Sequence, residues 1–491
     1  MTEKFKQSIL TFKKVKANEH SIFYEFNIDG VIHKSKITYH SINLKELEQK
    51  FSIEFITKVY LFMGLILVSK LAGSPVREIR LGEYSKYFHE NINNEFQNSS
   101  YGCLQEYRYK NDMPNQPFPK IVKEGNETLK IKRVEIETNK DNSNSDLDYE
   151  NKGICLVGGG KDSYGMVQIL KKAKIDFDIL SINYDEYGDL KKQEQIISKM
   201  VNAVKNETTI IHHIDIQDKD LIDYMIKAPT VEVMGMFEIR LSIILCFLIQ
   251  LKYGIKHVFI GNEKTADYPN LYWEKEGDIN HQWEKTLTSE KLYNSVIWNN
   301  LSTNSRFMSI LKPLRDPVIF NCGRTDETHF HLCHSCNVSK PWCHKCPKCF
   351  YVLISSLGFM TKETGEKMQK STGVDLNFLS YPENELYWKQ FLGIEPNIPF
   401  ECVGQVPDST ISFMLAYLKG YKGKAIDEFI NLKVKKSTIR RYIEKCFHID
   451  EDYQFFPDSI KKKLLDVIVS VAEKGKEDAL KTLEDYKINE N

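Results

Sequence analysis

Two short stretches of this chain combine residue types and spacings that do chemistry. Gly158, Gly159, Gly160, Lys161, Asp162 and Ser163 follow the apolar run Ile154–Val157. Behind them Met166, Val167, Ile169, Leu170 and Ala173 recur at helical spacing. The pattern predicts a buried strand, a tight loop and a helix. Glycines let the backbone approach a ligand closely, and a helix N-terminus offers free N–H groups to an anion. Lys161 adds a mobile positive charge, so the stretch suits phosphates. It is neither a Walker A loop, whose Gly-Lys pair follows a longer spacer, nor GxGxxG. A glycine turn that holds no nucleotide is the competing reading.

The second stretch is a cysteine cluster. Of the 11 cysteines, five fall between Cys333 and Cys349. Cys336, Cys343, Cys346 and Cys349 supply four thiolates at the close spacing of a structural zinc site, with Cys333, His334 and His344 to spare. Unrelated reduced thiols, or an iron–sulfur site using the same ligands, are the other readings. Four thiolates leave no open position for water, so the role expected of a zinc here is structural.

Weaker signals surround these two. Gly261–Asp267 follows a predicted strand, and Glu263 and Asp267 can help bind Mg²⁺ on phosphates or simply cap and turn the chain. Lys312 and Arg315 can pair with pyrophosphate or a carboxylate, or stand as solvated charges. The stretch 280–285, with His281, is unusually polar and aromatic for a loop. The basic run Lys435–Arg441 reads as a solvated helix face, without a helix-turn-helix or RNP pattern.

The elements that must position these residues fall into three regions. Residues 1–150 read as a mixed α/β domain. It has a hairpin of Ser21–Phe26 and Val31–Tyr39 around Asp29-Gly30, a long helix over Leu44–Leu71, and a strand over Leu129–Glu137. The polar stretch 139–151 reads as a linker. Residues 151–358 alternate strand and helix patterns: Phe177–Tyr184, Lys191–Val204, Thr208–Ile216, Val231–Tyr253 and His257–Ile260. Such alternation implies a parallel sheet with helices on both faces, and ligands outside the carboxyl ends of its strands. Residues 359–491 read as mainly helical.

Composition restricts the partners. Lys+Arg and Asp+Glu both number 67, so no net charge draws the chain to nucleic acid. The apolar runs Val59–Val68 and Leu241–Leu251 are short of the roughly 20 residues that span a bilayer. They read as buried helices, no secretory signal is visible, and a cytoplasmic protein is expected. The sequence assigns no oligomeric state.

The glycine loop resembles the SGGxDS loop of the PP-loop ATP pyrophosphatases, with Gly158 in place of the first serine. Together with the four cysteines it also resembles the 7-cyano-7-deazaguanine synthases, which are shorter and lack the flanking domains. A nucleobase-modifying enzyme of that kind is the alternative reading. The longer pattern resembles the ATP-dependent UDP-N-acetylmuramoyl-L-alanyl-L-glutamate epimerases of peptidoglycan synthesis. Its pieces are GGGKDS (158–163), GNE (261–263), NHQW (280–283), SCN (335–337), WCxxCxKC (342–349) and PFECVG (399–404), with looser matches at Tyr101-Gly102 and Glu106–Asn111.

The resemblance implies an adenine nucleotide alpha hydrolase-like parallel sheet and a small-molecule substrate, UDP-MurNAc-L-Ala-L-Glu. It implies conversion of the terminal L-glutamate to D-glutamate through an acyl-adenylate, with ATP, Mg²⁺ and structural Zn²⁺. It places Gly158–Ser163 on the ATP phosphates, Lys161 at the transferring phosphoryl group, and Lys312 and Arg315 on pyrophosphate or substrate. Cys402, Glu401 and His281 are the candidates for proton transfer, since each brings suitable chemistry in a matching motif.

Overall fold

The computed structural model describes residues 6–138, 150–230, 236–339, 342–450, 453 and 456–487. Among the described residues twelve strands are formed: β1 (Ser8–Ala17), β2 (Ser21–Ile28), β3 (Val31–Tyr39), β4 (Val76–Arg80), β5 (Lys120–Val122), β6 (Gly153–Leu156), β7 (Phe177–Tyr184), β8 (Ile211–Gln217), β9 (His257–Ile260), β10 (Leu271–Trp273), β11 (Gly277–Ile279) and β12 (Arg306–Ser309). Ten of them make one sheet in the order β12-β9-β6-β7-β8-β3-β2-β1-β4-β5, and β10 and β11 pair separately.

The five strands β12, β9, β6, β7 and β8 are mutually parallel. This is the parallel sheet expected of residues 151–358. The sheet does not stop there. β3 pairs antiparallel with β8, Tyr39 opposite Ile214, so strands from the first 150 residues extend it without a break.

The apolar strands are buried because the sheet is covered on both faces. Successive residues of β6 point to opposite faces. Ile154 enters a core built with the helices Ile53–Ser69 and Glu238–Tyr253, whereas Cys155 enters one built with Lys161–Lys172 and the C-terminal helices. Phe307 and Met308 on β12 divide the same way. The chain from Ile53 to Gly73 is apolar and long enough to cross a membrane by length and composition, but 94% of its apolar window is buried inside the protein. Both apolar runs are therefore core helices, as expected.

Several local expectations are sharpened or corrected. The hairpin turns at Asp29 and Gly30, both at positive φ. The single helix over Leu44–Leu71 breaks at Ser52, which sits at φ 70 and accepts from the N–H of Phe55 as cap of the second helix. Leu129–Glu137 alternates like a strand but makes one isolated bridge, Val134 to Ser302. Alternation without a neighbour to complete a ladder does not make a strand. The helix expected from Val231 begins at Glu238, and residues 231–235 lie outside the described part. So does nearly all of the linker 139–151. The region after 359 is helical, and its longest helix is Asp458–Leu483.

Candidate active site

The glycine loop leaves the carboxyl end of β6 and enters the helix Lys161–Lys172 with Gly160, extended, at the N-cap. Gly159 has φ +85, and a Cβ there would lie 2.1 Å from the imidazole of His334. The loop is thus clamped by the cysteine segment. The His334 N–H donates to the Gly159 carbonyl at 2.8 Å, and the Lys161 N–H donates to Ser335 Oγ at 3.2 Å. Gly159→Ala is expected to cost at least about 1–2 kcal/mol of stability, since a left-handed strain of that size adds to the clash. Thermal unfolding of the variant checks it, and a wild-type melting temperature would refute the clamp.

Lys161 does not line an open cavity. Its ammonium is buried between Asp162 Oδ1 (2.6 Å) and Asp316 Oδ1 (2.5 Å), and Asp316 in turn accepts from Tyr351 at 2.7 Å. Burial opposes the charge on Lys161, but Asp162, Asp316 and Glu263 outweigh it and raise its pKa. Burial and the neighbouring carboxylates push Asp316 up to about 6 in spite of Lys161.

Lys312 and Arg315 are buried rather than solvated. Lys312 donates to Asp267 (2.9 Å) and to the carbonyls of Glu263 and Lys285. Arg315 grips Asp408 through two hydrogen bonds of 3.0 and 2.6 Å. Asp267 also accepts from the N–H of Leu287, so it braces the next helix. Glu263 is buried, and its Oε2 has no hydrogen-bond partner among the described residues.

Two adjoining cavities lie beyond the strand ends. One, of about 250 Å³, is lined by Gly158, Asp162, Ser163, Asn262 and Tyr187 among others. The other, of about 530 Å³, contains His281, Glu401 and Cys402. Tyr187, Glu238, Ile239 and Lys285 line both. The ligand atoms of His281, Glu401 and Cys402 lie within 4.8 Å of one another.

The charges in the larger cavity are ordered. His281 Nδ1 is paired with Glu106, which also holds Lys110 at 2.5 Å. Burial works against a charged imidazole, but bonding to Cys402 and Glu106 raises His281 to about 10. Burial likewise works against a thiolate, yet Lys285, Lys348 and the hydrogen bond with His281 bring Cys402 down to about 7. Glu401 accepts from Asn337 at 2.7 Å and from the N–H of Cys402 at 2.9 Å. Glu238, bonded by the Tyr187 hydroxyl, is raised to about 8 by burial and the nearby Glu186.

The four cysteines Cys336, Cys343, Cys346 and Cys349 converge, with all sulfurs within 4.8 Å and none in a disulfide. Cys336 and Cys346 are 3.9 Å apart, Cys343 and Cys349 3.8 Å. The N–H groups of Val338 and Ser339 point at Cys336 Sγ. The segment 334–337 leading into this cluster touches the glycine loop through His334 and Ser335, and Glu401 through Asn337.

The motif pieces therefore meet in space. Gly102 abuts the Trp283 ring so closely that a Cβ would sit 2.0 Å from it. Asn270 joins the His281 N–H to the carbonyl of Pro399. Glu106, Lys285, Lys348 and Glu238 were not singled out for a role in the sequence. Lys348 is disguised as a spacer between two cysteines, and Glu106 reaches His281 across 175 positions.

Two segments of the chain match known protein families. The MurL N-terminal domain family matches residues 240–310 and the MurL C-terminal domain family matches 319–437. Over these two segments the chain resembles the MurL family. The MurL-matched segments contain His281, Lys285, the four cysteines, Glu401 and Cys402, while the glycine loop precedes both. Three similar proteins are each named UDP-N-acetyl-alpha-D-muramoyl-L-alanyl-L-glutamate epimerase. The one from Salinispora tropica is 24% identical over 322 residues, covering 64% of this chain and 63% of its own. The one from a Micromonospora species is 26% identical over 319 residues, 64% of each chain. The one from Xanthomonas oryzae pv. oryzae is 24% identical over 286 residues, 56% of this chain and 58% of its own. The match thus spans 58–64% of the length of these relatives.

Proposed function

We propose that the protein epimerises the terminal L-glutamate of UDP-MurNAc-L-Ala-L-Glu to D-glutamate, with conversion of ATP to AMP and pyrophosphate. One observation carries this reading: a cavity holding Cys402, His281 and Glu401 opens onto the cavity of the glycine loop, with Lys285 lining both. A Cα–H beside an ionised carboxylate resists deprotonation, because two negative charges would adjoin. Joining that carboxylate to AMP removes its charge and acidifies the neighbour. Activation and proton transfer must therefore happen on adjacent atoms, as adjoining cavities permit.

The loop Gly158–Ser163 holds the phosphates, and Lys285, which feels both Asp162 and Cys402, stabilises charge between the two reactions. Cys402, as thiolate beside protonated His281, takes the proton from Cα. Glu238, kept neutral, is suited to return one. Water then releases the inverted glutamate. Lys161 organises Asp162 and Asp316 rather than meeting substrate. Glu263, with its unsatisfied oxygen, fits a role in holding Mg²⁺ on the phosphates, whereas Asp267 is committed to Lys312. The four thiolates fit a tetrahedral zinc, whose role is to hold the segment 334–337 in place. On this reading the enzyme serves peptidoglycan precursor synthesis in the cytoplasm.

Incubation with UDP-MurNAc-L-Ala-L-Glu, ATP and Mg²⁺ in D₂O tests it. Deuterium at the glutamate Cα together with AMP is expected, and the absence of both overturns the reading. A pH profile tests the base. Because the thiolate form is required, exchange should fall about tenfold per pH unit below about 7. A profile flat between about pH 5.5 and 7.5 would remove Cys402 from that role.

A further inference from the structure

A third cavity, of about 450 Å³, lies away from the candidate active site. Among the described residues its lining includes Lys58, His89, Lys130, Lys132, Arg133 and Asn299, and no aspartate or glutamate. Thr303, which precedes β12, also lines it, so it sits at the end of the parallel sheet opposite the glycine loop. In a chain of zero net charge, a cavity with only cationic side chains among its charged walls calls for a counter-charge.

Lys58 makes the case specific. It lies in the apolar helix Ile53–Ser69 and is 7% exposed. Among the described residues it has no hydrogen-bond partner and no carboxylate within 4 Å. Its stem is packed in the protein while its ammonium faces the cavity, where solvent or an anion must meet the charge. The acidic group acting on it is Glu95, and that carboxylate is already held by Asn299 (3.0 Å), Asn300 (2.7 Å) and His89 (3.4 Å). Burial, with Arg133 adding to it, lowers Lys58 to about 8. Lys130 and Lys132, both exposed, reach the cavity from its rim.

We infer that this cavity binds an anion bearing two or more phosphates, at a site distinct from the candidate active site. A single carboxylate or halide would fill little of 450 Å³ and meet few of the cations. A phosphate chain presents several charges and many acceptor oxygens at once. The Lys58 ammonium, facing the cavity, holds the inner phosphate, and the lysines and arginine of the 130–133 segment close over the outer one.

The test uses the full chain and inorganic pyrophosphate, with hydrogen exchange read on residues 128–134 so that binding at the glycine loop is not counted. Pyrophosphate should protect this segment at least fivefold. Lys58→Met should weaken that protection at least tenfold in concentration dependence, with a melting temperature equal to or above wild type, because an unpaired charge is replaced by an apolar chain. Unchanged exchange in the wild type, or wild-type behaviour of Lys58→Met, overturns the site. Should Lys58→Met not fold, the exposed variant Lys132→Ser decides: weakened protection supports the site and undiminished protection refutes it. ADP run in parallel separates the sources. Tighter binding than pyrophosphate assigns a nucleotide, and weaker binding an inorganic phosphate chain, both in support.

Discussion

Cys402→Ala should lose deuterium exchange at the glutamate Cα by a factor of about 10²–10⁴, the usual worth of a positioned general base. Pyrophosphate release should survive within about threefold, since the thiol lines the cavity beyond the glycine loop and not the loop itself. Measuring both products from one reaction separates the two steps. Loss of both together would make Cys402 a packing residue, and retention of exchange would make another group the base. The charge arrangement argues for the thiol. Lys285 and Lys348 act on it directly, and His281 is kept protonated by Glu106 on its other side. His281→Gln should therefore lower exchange and move its pH dependence upward, because the thiolate loses a cationic neighbour while the lysines remain.

How much of this was legible without coordinates follows from how local each signal is. The strand, loop and helix around Gly158 are written in adjacent residues: an apolar run, three glycines and a 3.6-residue periodicity. The hairpin at Asp29-Gly30 is equally local. The strand expected over Leu129–Glu137 failed because alternation records a two-faced segment and not the presence of a partner. The break at Ser52 was available in principle, since serine before an apolar run is an N-cap signal. It was masked by the apolar pattern continuing on both sides. Continuity of the sheet from β8 into β3 is a long-range fact that no spacing encodes.

The site divides along the same line. The types and order of NHQW and PFECVG singled out His281, Glu401 and Cys402, which the fold brings together. Direction was not legible. Lys161 beside a glycine loop reads as a phosphate ligand, but Asp162 and the buried Asp316 draw it inward. Lys312 and Arg315 read as free cations, and each is held by its own aspartate. Which charge faces a cavity depends on partners tens or hundreds of residues away, and so the lysines that do face it, Lys285 and Lys348, were the ones without an assigned role.

Cys346→Ser should abolish zinc binding and with it the order of the glycine loop. Ligands at about 2.3 Å around one tetrahedral ion stand about 3.8 Å apart. The sulfur pairs at 3.8 and 3.9 Å have that spacing. An iron–sulfur cluster binds its thiolates to separate irons and spreads them wider, so the geometry favours a single ion. Structural zinc supplies about 10–16 kcal/mol of apparent binding energy that is also folding energy. Losing part of it should cost on the order of 5 kcal/mol and a large drop in melting temperature. The consequence reaches the active site because His334 and Ser335 hold Gly159 and Lys161, while Asn337 holds Glu401. Both cavities should lose their shape at once, so AMP formation and proton exchange should disappear together in Cys346→Ser, unlike the split expected of Cys402→Ala. Metal analysis of the purified protein, with melting followed before and after chelation, checks this. A wild type without zinc that melts as the variant does would show that the four thiols pack without a metal.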